Sequence, residues 1–342
     1  MKSGLSLLFL LWACIIQAQS TYPELESYFN RLAEREKAMG SVCVRQNGKI
    51  LFQKSFGYAS IDPSIKADSL TIYQVGSISK TFTAVIILQM EEEGKLKLQD
   101  KLSRFFPDWP QASQTTIEHL LRHQSGIHNF GKDLSRKYRD VKPETTEEIK
   151  AVFRNSKPDF RPGQKTEYNN ANYIALSLIA EELDGISFAQ IVKQRITAPT
   201  GLTRTYLGDS IEPEKGEAYS FYYRKGWQEN FTAHYGKLMG AGGVASTPTE
   251  LCKFFETLFR AELFSAEALE QMVDMQENMG LGIFSYPFGS QRCYGHSGNV
   301  DSFESMAAYF PEQKLAFAVC LNANRTDFNQ LLIKLLELFV KP

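Results

Sequence analysis

Residues 75–84 read Val75-Gly76-Ser77-Ile78-Ser79-Lys80-Thr81-Phe82-Thr83-Ala84. The residues that follow predict a helix from Ser77 to Glu93, ended by Gly94. Ser77 and Lys80 are three residues apart, so a helix places the hydroxyl and the amine on one face. An amine can take the serine proton when burial or nearby positive charge lowers its pKa. The segment therefore predicts a nucleophilic serine at a helix N-terminus.

Ser-x-x-Lys alone is weak evidence, because it also arises by chance in a chain of this length. Two motifs further along support it, Tyr168-Asn169-Asn170 and His296-Ser297-Gly298. Tyr168 follows an Arg161-Pro162-Gly163 turn and precedes a helix predicted from residue 172 to 183, which indicates a loop that faces a cleft. His296 is predicted to lie just before a strand of the C-terminal region.

Strand patterns flank this central region on both sides. Val42–Arg45 and Ile50–Phe56 are joined by Asn47-Gly48, a strong signal for a type I′ hairpin because both residues accept positive φ. Further strands are predicted at residues 282–285, 292–294, 302–309 and 315–321. Helices are predicted at the two ends, from Tyr22 to Met39 and from Phe328 to Val340.

Strands at both ends with helices between them predict an α/β (α+β) fold. One antiparallel sheet is flanked by the N- and C-terminal helices, and a mainly helical lobe is inserted into it. We expect a single domain over residues 19–342. Its sheet lobe covers about 22–70 and 280–342, and its helical lobe about 77–260. The cleft between the lobes is the expected site.

Composition excludes several classes of protein. The 342 residues carry 38 Lys and Arg against 39 Asp and Glu, a net charge of −1, which argues against nucleic-acid binding. A hydrophobic content of 43% and a charged content of 23% exclude global disorder. Neither a Cys-x-x-Cys pair nor a His-Glu-x-x-His motif occurs, so the sequence predicts no metal site of those kinds.

The first 18 residues read as a signal peptide. Lys2 precedes an apolar run from Leu5 to Ile16, and cleavage is predicted after Ala18. The run is too short to span a membrane, so the mature chain is expected to be exported, either periplasmic or secreted, with no transmembrane segment. Two alternatives are a buried N-terminal helix and a lipid anchor at Cys14, whose Leu11-Trp12-Ala13-Cys14 context loosely matches a lipobox.

Cleavage leaves four cysteines, Cys43, Cys252, Cys293 and Cys320. Export permits disulfides, and four cysteines allow three complete pairings. The favoured reading is that they are small buried apolar residues.

Taken in order, these motifs closely resemble those of the serine β-lactamase-related family. The family holds class C β-lactamases, D-alanyl-D-alanine carboxypeptidases, D-aminopeptidases and esterases of the same fold. The resemblance extends to His119-Leu120-Leu121-Arg122-His123-Gln124-Ser125-Gly126-Ile127, to Tyr168-Asn169-Asn170-Ala171-Asn172-Tyr173 and to Gly242-Gly243-Val244-Ala245-Ser246-Thr247. It covers residues 22 to 340, and it implies a β-lactamase/transpeptidase-like fold.

The resemblance implies a role for each motif residue. Ser77 attacks an acyl carbonyl and forms an acyl-enzyme, with Lys80 assisting its deprotonation. Tyr168, with a pKa lowered by Lys80, carries the proton to the leaving group and later activates water. Asn170 orients the substrate and Lys80. The backbone N–H groups of Ser77 and Asn299 form the oxyanion hole.

His296, Ser297 and Gly298 are expected to bind the substrate. Many relatives carry lysine where this chain has His296, and lysine supplies a fixed positive charge for a substrate carboxylate. An unperturbed histidine is mostly neutral at pH 7, so efficient hydrolysis of anionic penicillins is in doubt. No cofactor is implied.

Two other motifs have simpler readings. His119 and His123, with His128 nearby, have the spacing of metal ligands, but the resemblance explains them as structural. The run from Gly240 to Gly243 is expected to form a tight turn that lines the cleft.

The sequence therefore predicts an exported serine hydrolase that acts through an acyl-enzyme on a small-molecule or peptide substrate. The bond is that of a D-Ala-D-Ala-type peptide, a β-lactam or a small ester, and the sequence does not choose among them. The alternative is a sensor that binds penicillin or muropeptides without hydrolysing them.

Overall fold

The computed structural model describes residues 22–130, 145–230 and 234–341. The predicted signal peptide at residues 1–18 and the alternative lipid anchor at Cys14 lie outside the described residues. Within the described residues, no helix is both long and apolar enough to cross a membrane.

The strands of the main sheet stand at the two ends of the described chain, and short strands lie between them. In chain order they are β1 (Ala38–Gln46), β2 (Lys49–Phe56), β3 (Tyr58–Ser60), β4 (Ile65–Lys66), β5 (Tyr73–Gln74), β6 (Tyr206–Leu207), β7 (Phe221–Tyr223), β8 (Trp227–Glu229), β9 (Val244–Ser246), β10 (Phe284–Phe288), β11 (Gln291–Val300), β12 (Phe303–Phe310) and β13 (Leu315–Asn324).

The α-helices of the described residues fall mainly between the two groups of long strands. They are α1 (Pro23–Glu34), α2 (Ser79–Glu92), α3 (Ile117–Leu121), α4 (Thr146–Asn155), α5 (Asn170–Asp184), α6 (Phe188–Val192), α7 (Ala198–Thr200), α8 (Met239–Gly242), α9 (Pro248–Phe259), α10 (Ala266–Met272) and α11 (Phe328–Leu336).

One six-stranded antiparallel sheet joins the two ends of the described chain. Its strand order is β10-β11-β12-β13-β1-β2, and β1 pairs with β13 in a register that places Val42 opposite Val319. The hairpin between β1 and β2 turns at Asn47 and Gly48, whose φ values are 51° and 80°. The predicted type I′ signal therefore marks the actual turn, and the predicted α/β fold class is confirmed.

The two faces of the sheet are covered differently. The outer face packs against α1 and α11 through apolar side chains that include Phe29 and Leu335. The inner face packs against the helical part of the chain, where α9 contacts β1, β12 and β13. Helix α2 lies at the centre of that part, and every residue from Ser79 to Leu88 is buried. The site therefore rests on a helix, α2, whose first ten residues are all buried.

Four sequence predictions need correction. The C-terminal helix ends at Leu336 instead of Val340. The first helix ends at Glu34 instead of Met39, because Glu36 has a φ of 51° and β1 already begins at Ala38. His296 lies inside β11 and not before a strand, since β10 and β12 pair with its neighbours on either side. Gly240 to Gly242 belong to the one-turn helix α8 instead of a tight turn at the cleft surface, and they are buried.

The prediction that the four cysteines are small buried residues is confirmed. All four cysteines of the described residues, Cys43, Cys252, Cys293 and Cys320, carry free thiols and are buried.

Candidate active site

Ser77 lies on a 3₁₀ turn, Gly76–Ile78, that leads directly into α2. The turn is fixed by Ser79, whose hydroxyl donates to the Gly76 carbonyl at 2.6 Å and accepts from the Val244 amide at 2.9 Å. Gly76 has a φ of 51°, and a Cβ at this position would lie 3.0 Å from the Asn299 nitrogen. Only glycine suits this close approach, which brings β11 next to the serine.

Lys80 is fully buried one helical turn beyond Ser77. Its Nζ lies 3.0 Å from Ser77 Oγ, 2.8 Å from Asn170 Oδ1 and 2.6 Å from the Ala241 carbonyl oxygen. Burial lowers the pKa of Lys80 well below its ordinary value. A neutral amine has two N–H bonds and one lone pair. Asn170 Oδ1 and the Ala241 carbonyl can only accept, so the lone pair is left for the Ser77 hydroxyl.

Tyr168 lies on the loop before α5, as the sequence predicts. The Asn169 side chain caps the helix by accepting from the Ala171 amide at 2.8 Å, and Asn170 is the first helical residue. The Tyr168 ring packs on the His123 ring with centroids 4.6 Å apart, and Lys80 Nζ lies 4.8 Å from its centre. The loop therefore brings Tyr168 and Asn170 to the same side of the serine.

The expectation that Lys80 lowers the pKa of Tyr168 is wrong. Burial raises the pKa of the Tyr168 phenol above its ordinary value, and a hydrogen bond with Ser77 offsets only part of this rise. Because 37% of the Tyr168 surface is exposed, solvent screens some of the effect. Lys80 is not among the groups that shift the pKa of this phenol. Tyr168 is therefore a neutral proton donor in the resting site.

His296 projects from β11 into the same site. Its Nδ1–H donates to the Ser297 carbonyl at 2.5 Å, and its Nε2 is buried without a hydrogen-bond partner among the described residues. Burial, together with the nearby Lys80 amine, lowers the pKa of His296 to about 3. The imidazole is therefore neutral, and its Nε2 presents a lone pair where many relatives carry a lysine.

The edge of β11 completes the wall opposite Tyr168. Strand β10 pairs with β11 only as far as Gly295, so β10 leaves the edge from His296 to Val300 uncovered. Ser297, Gly298 and Asn299 line the cavity together with Ser77. Ser77 and Asn299, whose backbone N–H groups are the predicted oxyanion hole, therefore line the same cavity.

The cavity at this site has a volume of about 910 Å³. Ser77, Tyr168, Asn170 and His296 all line it, so the structure brings together the residues that the sequence predicts. Glu304 also lines it, whereas no lysine or arginine is among the described lining residues. The formal charge at the described cavity wall is therefore negative.

Two contributions were not predicted from the sequence. The Ala241 carbonyl holds Lys80, and a backbone acceptor leaves no side-chain signal in a sequence. His123 supports Tyr168 from behind by packing on its ring, and its Nδ1 accepts from the Asn169 amide at 3.1 Å. The position of His123 in a motif shared with known relatives could have indicated this role.

The contacts of the two histidines with metal-ligand spacing support their structural reading. His119 Nδ1 accepts from the Thr116 amide at 3.3 Å and closes a capping box at the start of α3. His123 Nδ1 accepts a hydrogen bond from the Asn169 amide.

Comparison with known proteins gives one family and several relatives. The model of the beta-lactamase family matches residues 26–339. Penicillin-binding protein 4* of Bacillus subtilis (strain 168) is 26% identical, over 95% of this chain and 77% of its own length. A teichoic acid D-alanine hydrolase of Staphylococcus aureus is 28% identical over 66% of this chain, which spans 55% of that protein.

Solved structures show the same fold. A D-amino acid amidase from Ochrobactrum anthropi SV3, complexed with L-phenylalanine, superposes with a TM-score of 0.83 at 21% identity, over 92% of this chain and 98% of that one. The octameric penicillin-binding protein homologue from Pyrococcus abyssi gives a TM-score of 0.80 at 27% identity, over 93% of this chain and 77% of its own.

Proposed function

This chain belongs to the beta-lactamase family and is an enzyme of the serine hydrolase type, and on that premise we propose that it cleaves amide or ester bonds through an acyl-enzyme on Ser77. The observation that carries the proposal is the environment of Lys80. A buried, neutral amine 3.0 Å from Ser77 Oγ, with its two N–H bonds already accepted elsewhere, is a general base for that hydroxyl.

Acylation follows from these positions. Ser77 Oγ forms a bond to the substrate carbonyl carbon while its proton moves to Lys80 Nζ. The resulting ammonium is held by Asn170 Oδ1 and the Ala241 carbonyl. Negative charge on the former carbonyl oxygen is stabilised by the N–H groups of Ser77 and Asn299, and losing one such donor typically costs about 100- to 1000-fold in kcat.

Tyr168 serves as the acid for the leaving group. Its neutral phenol donates a proton to the departing nitrogen or oxygen as the carbonyl bond to it breaks, and it recovers a proton from the Lys80 ammonium. In deacylation, water attacks the acyl carbon and its proton returns through Tyr168 to Ser77 Oγ as the ester bond breaks. The enzyme is thereby restored, with one water consumed.

The charges of the cavity favour an acyl group without a carboxylate near the reacting carbonyl. His296 is neutral, Glu304 is negative, and no described lining residue is a lysine or arginine. The names of the amidase and the teichoic acid hydrolase both refer to D-amino acids. We therefore place amides and esters of D-amino acids ahead of penicillins as substrates. We also propose export, on the basis of the signal-like first 18 residues.

Active-site labelling with a fluorophosphonate tests the mechanism. Wild type and the control Ser103→Ala should be labelled once, at Ser77, and Ser77→Ala should not be labelled. Steady-state hydrolysis of D-phenylalanine amide should exceed that of nitrocefin. Equal labelling of Ser77→Ala would remove Ser77 from the mechanism, and a stoichiometric burst without turnover would indicate the non-hydrolytic sensor instead.

A further inference from the structure

The catalytic cavity continues well beyond the residues that the chemistry uses. Its far part lies between the outer face of the sheet and the C-terminal helix, and we call this part the apolar arm. The apolar arm is lined by Phe288, Cys293, Met306 and Phe317 on the sheet and by Phe328, Leu332, Ile333 and Leu336 on α11.

The apolar arm and Ser77 belong to one cavity. Ser297, Gly298 and Asn299 form the wall between them, at the part of the β11 edge that β10 leaves uncovered. The volume of about 910 Å³ lies near the upper end of the range for small-molecule sites. A short acyl group at Ser77 would leave most of this space unfilled.

The lining of the apolar arm selects for apolar atoms. Burial raises the pKa of Cys293 to about 12, so its thiol is uncharged. The Glu304 carboxylate, at the edge of the apolar arm, already accepts a hydrogen bond from the Asn324 amide at 2.6 Å. Asn329 on α11 is another polar side chain near these apolar residues. A polar group that entered the apolar arm would lose most of its water and gain few partners, whereas a hydrocarbon chain would be stabilised by burial.

The geometry of the reaction decides which part of the substrate enters. The leaving group must depart within reach of the Tyr168 phenol, on the wall that belongs to the helical part of the chain. The acyl group stays bonded to Ser77, beside the Asn299 amide that binds its oxygen. Asn299 also borders the apolar arm, so the acyl group has the direct path into it.

We propose that the apolar arm binds an extended hydrocarbon chain of the acyl group, so that the enzyme prefers substrates whose acyl part carries a long apolar chain. This inference rests on the proposed acyl-enzyme at Ser77. It adds a substrate class that the catalytic residues alone do not define.

A series of p-nitrophenyl esters from acetate to dodecanoate, used below their micelle-forming concentrations, tests the proposal on the full chain. Each methylene that enters the apolar arm should raise kcat/KM by about two- to fourfold until the arm is full. A matched series of alkyl acetates, in which only the alcohol lengthens, should show no such rise. A rise confined to the alcohol series would overturn the assignment to the acyl group.

Two tryptophan variants locate the effect. Ile333 is 44% exposed where it lines the cavity, so Ile333→Trp fills the apolar arm without disturbing the core. It should lower kcat/KM for the decanoate by about tenfold or more and leave that for the acetate within about twofold. Leu338 is 48% exposed just beyond the same helix and does not line the cavity, so Leu338→Trp should change neither value.

The outcomes separate this inference from the proposed function. A flat acyl series with Ser77-dependent acetate hydrolysis would overturn the apolar arm as a substrate site. It would mean that another occupant, such as a segment of this chain or a second copy, fills it. Equal effects of Ile333→Trp and Leu338→Trp would also overturn it. Ester hydrolysis that persists in Ser77→Ala would instead contradict the proposed function.

Discussion

A lysine side chain without exposed surface is stable only where neighbouring atoms replace water, and three oxygen atoms do this for Lys80. The replacement is partial, because burial still lowers its pKa well below 10.5. The unfolded chain therefore binds this proton more tightly than the native site does. Burial of the Lys80 amine destabilises the native state at pH values below the ordinary lysine pKa.

The variant Lys80→Met should accordingly be more stable than wild type while losing activity. We expect kcat/KM for a D-amino acid amide to fall by about 10²- to 10⁴-fold, the usual contribution of a general base. The melting temperature at pH 7 should rise, because the variant releases no proton on folding. Calorimetry and steady-state kinetics measure both effects, and a less stable variant that keeps its activity would contradict this account of Lys80.

His296 predicts a specific loss of stability in acid. The unfolded histidine binds a proton below about pH 6.5, whereas the native pKa is about 3. Between these values the unfolded state holds the extra proton. Native stability therefore falls as pH falls, by about 1.4 kcal/mol per pH unit for this residue.

Urea unfolding at several pH values between 4 and 7 measures this slope. His296→Gln should reduce the slope by the contribution of one titrating group. Equal slopes in wild type and His296→Gln would show that His296 keeps its proton in the native state.

At the scale of elements, the short helix α8 connects α2 to α5 through the backbone of Gly240, whose carbonyl accepts from Thr83 Oγ1 at 2.8 Å and whose N–H donates to Ser177 Oγ at 2.9 Å. A Cβ on Gly240 would lie 2.1 Å from Thr83 Oγ1 on α2 and 2.5 Å from Ser177 Oγ on α5. Glycine therefore lets α8 approach both helices closely enough for the Ala241 carbonyl to reach Lys80. The position of one backbone oxygen thus depends on the packing of three helices.

Gly240→Ala should displace α8 and weaken the hold on Lys80. We expect a loss of about 1–3 kcal/mol in unfolding free energy and a larger fall in kcat than rise in KM. Gly242→Ala in the same helix is the control, since its Cβ would meet only the flexible Leu238 side chain, at 3.1 Å and beyond. Chemical denaturation and kinetics compare the two variants, and equal behaviour would remove α8 from the positioning of Lys80.

Local signals in the sequence identified many elements. Asn47-Gly48 marked the hairpin, and Gly94 marked the end of α2, which stops at Glu92. The prediction that His296 lies outside a strand was wrong, because Gly295-His296-Ser297-Gly298 has little intrinsic preference for a strand. Pairing with β12 holds this segment in β11. Sequence pattern records local preference and misses order imposed by neighbouring strands.

At the scale of the whole molecule, the four thiols report on the integrity of the core. Each is at most 3% exposed, and burial raises the pKa of Cys252, Cys293 and Cys320. A buried, uncharged thiol reacts slowly with electrophiles. The core is therefore expected to protect Cys43, Cys252 and Cys320, whereas Cys293 also borders the apolar arm.

Iodoacetamide should leave Cys43, Cys252 and Cys320 unmodified in the native protein and alkylate them after denaturation, as peptide mass spectrometry can show. Reducing agent should leave the melting temperature unchanged, because the structure places no disulfide among the described residues. A fall in melting temperature on reduction would mean that a bridge forms in solution. An exposed-cysteine variant such as Ser64→Cys confirms that the reagent is active.

The candidate site was predictable from the sequence because its side chains lie in ordered motifs. Ser77, Lys80, Tyr168 and Asn170 were each placed by spacing and resemblance, and the structure brings them together. The protonation of Lys80 and Tyr168 was not predictable, because it depends on burial. The apolar arm was missed for a similar reason, since a gap between a helix and a sheet depends on how the two pack.

The pairing of β1 with β13 also governs when the protein can fold. Strand β1 emerges from the ribosome early, yet the partner that closes its open edge is made near the end of synthesis. A nascent chain that lacks β13 has no way to complete the six-stranded layer, and sheets built from such distant segments form slowly. The catalytic shape is therefore completed only after the last strand of the sheet has been made.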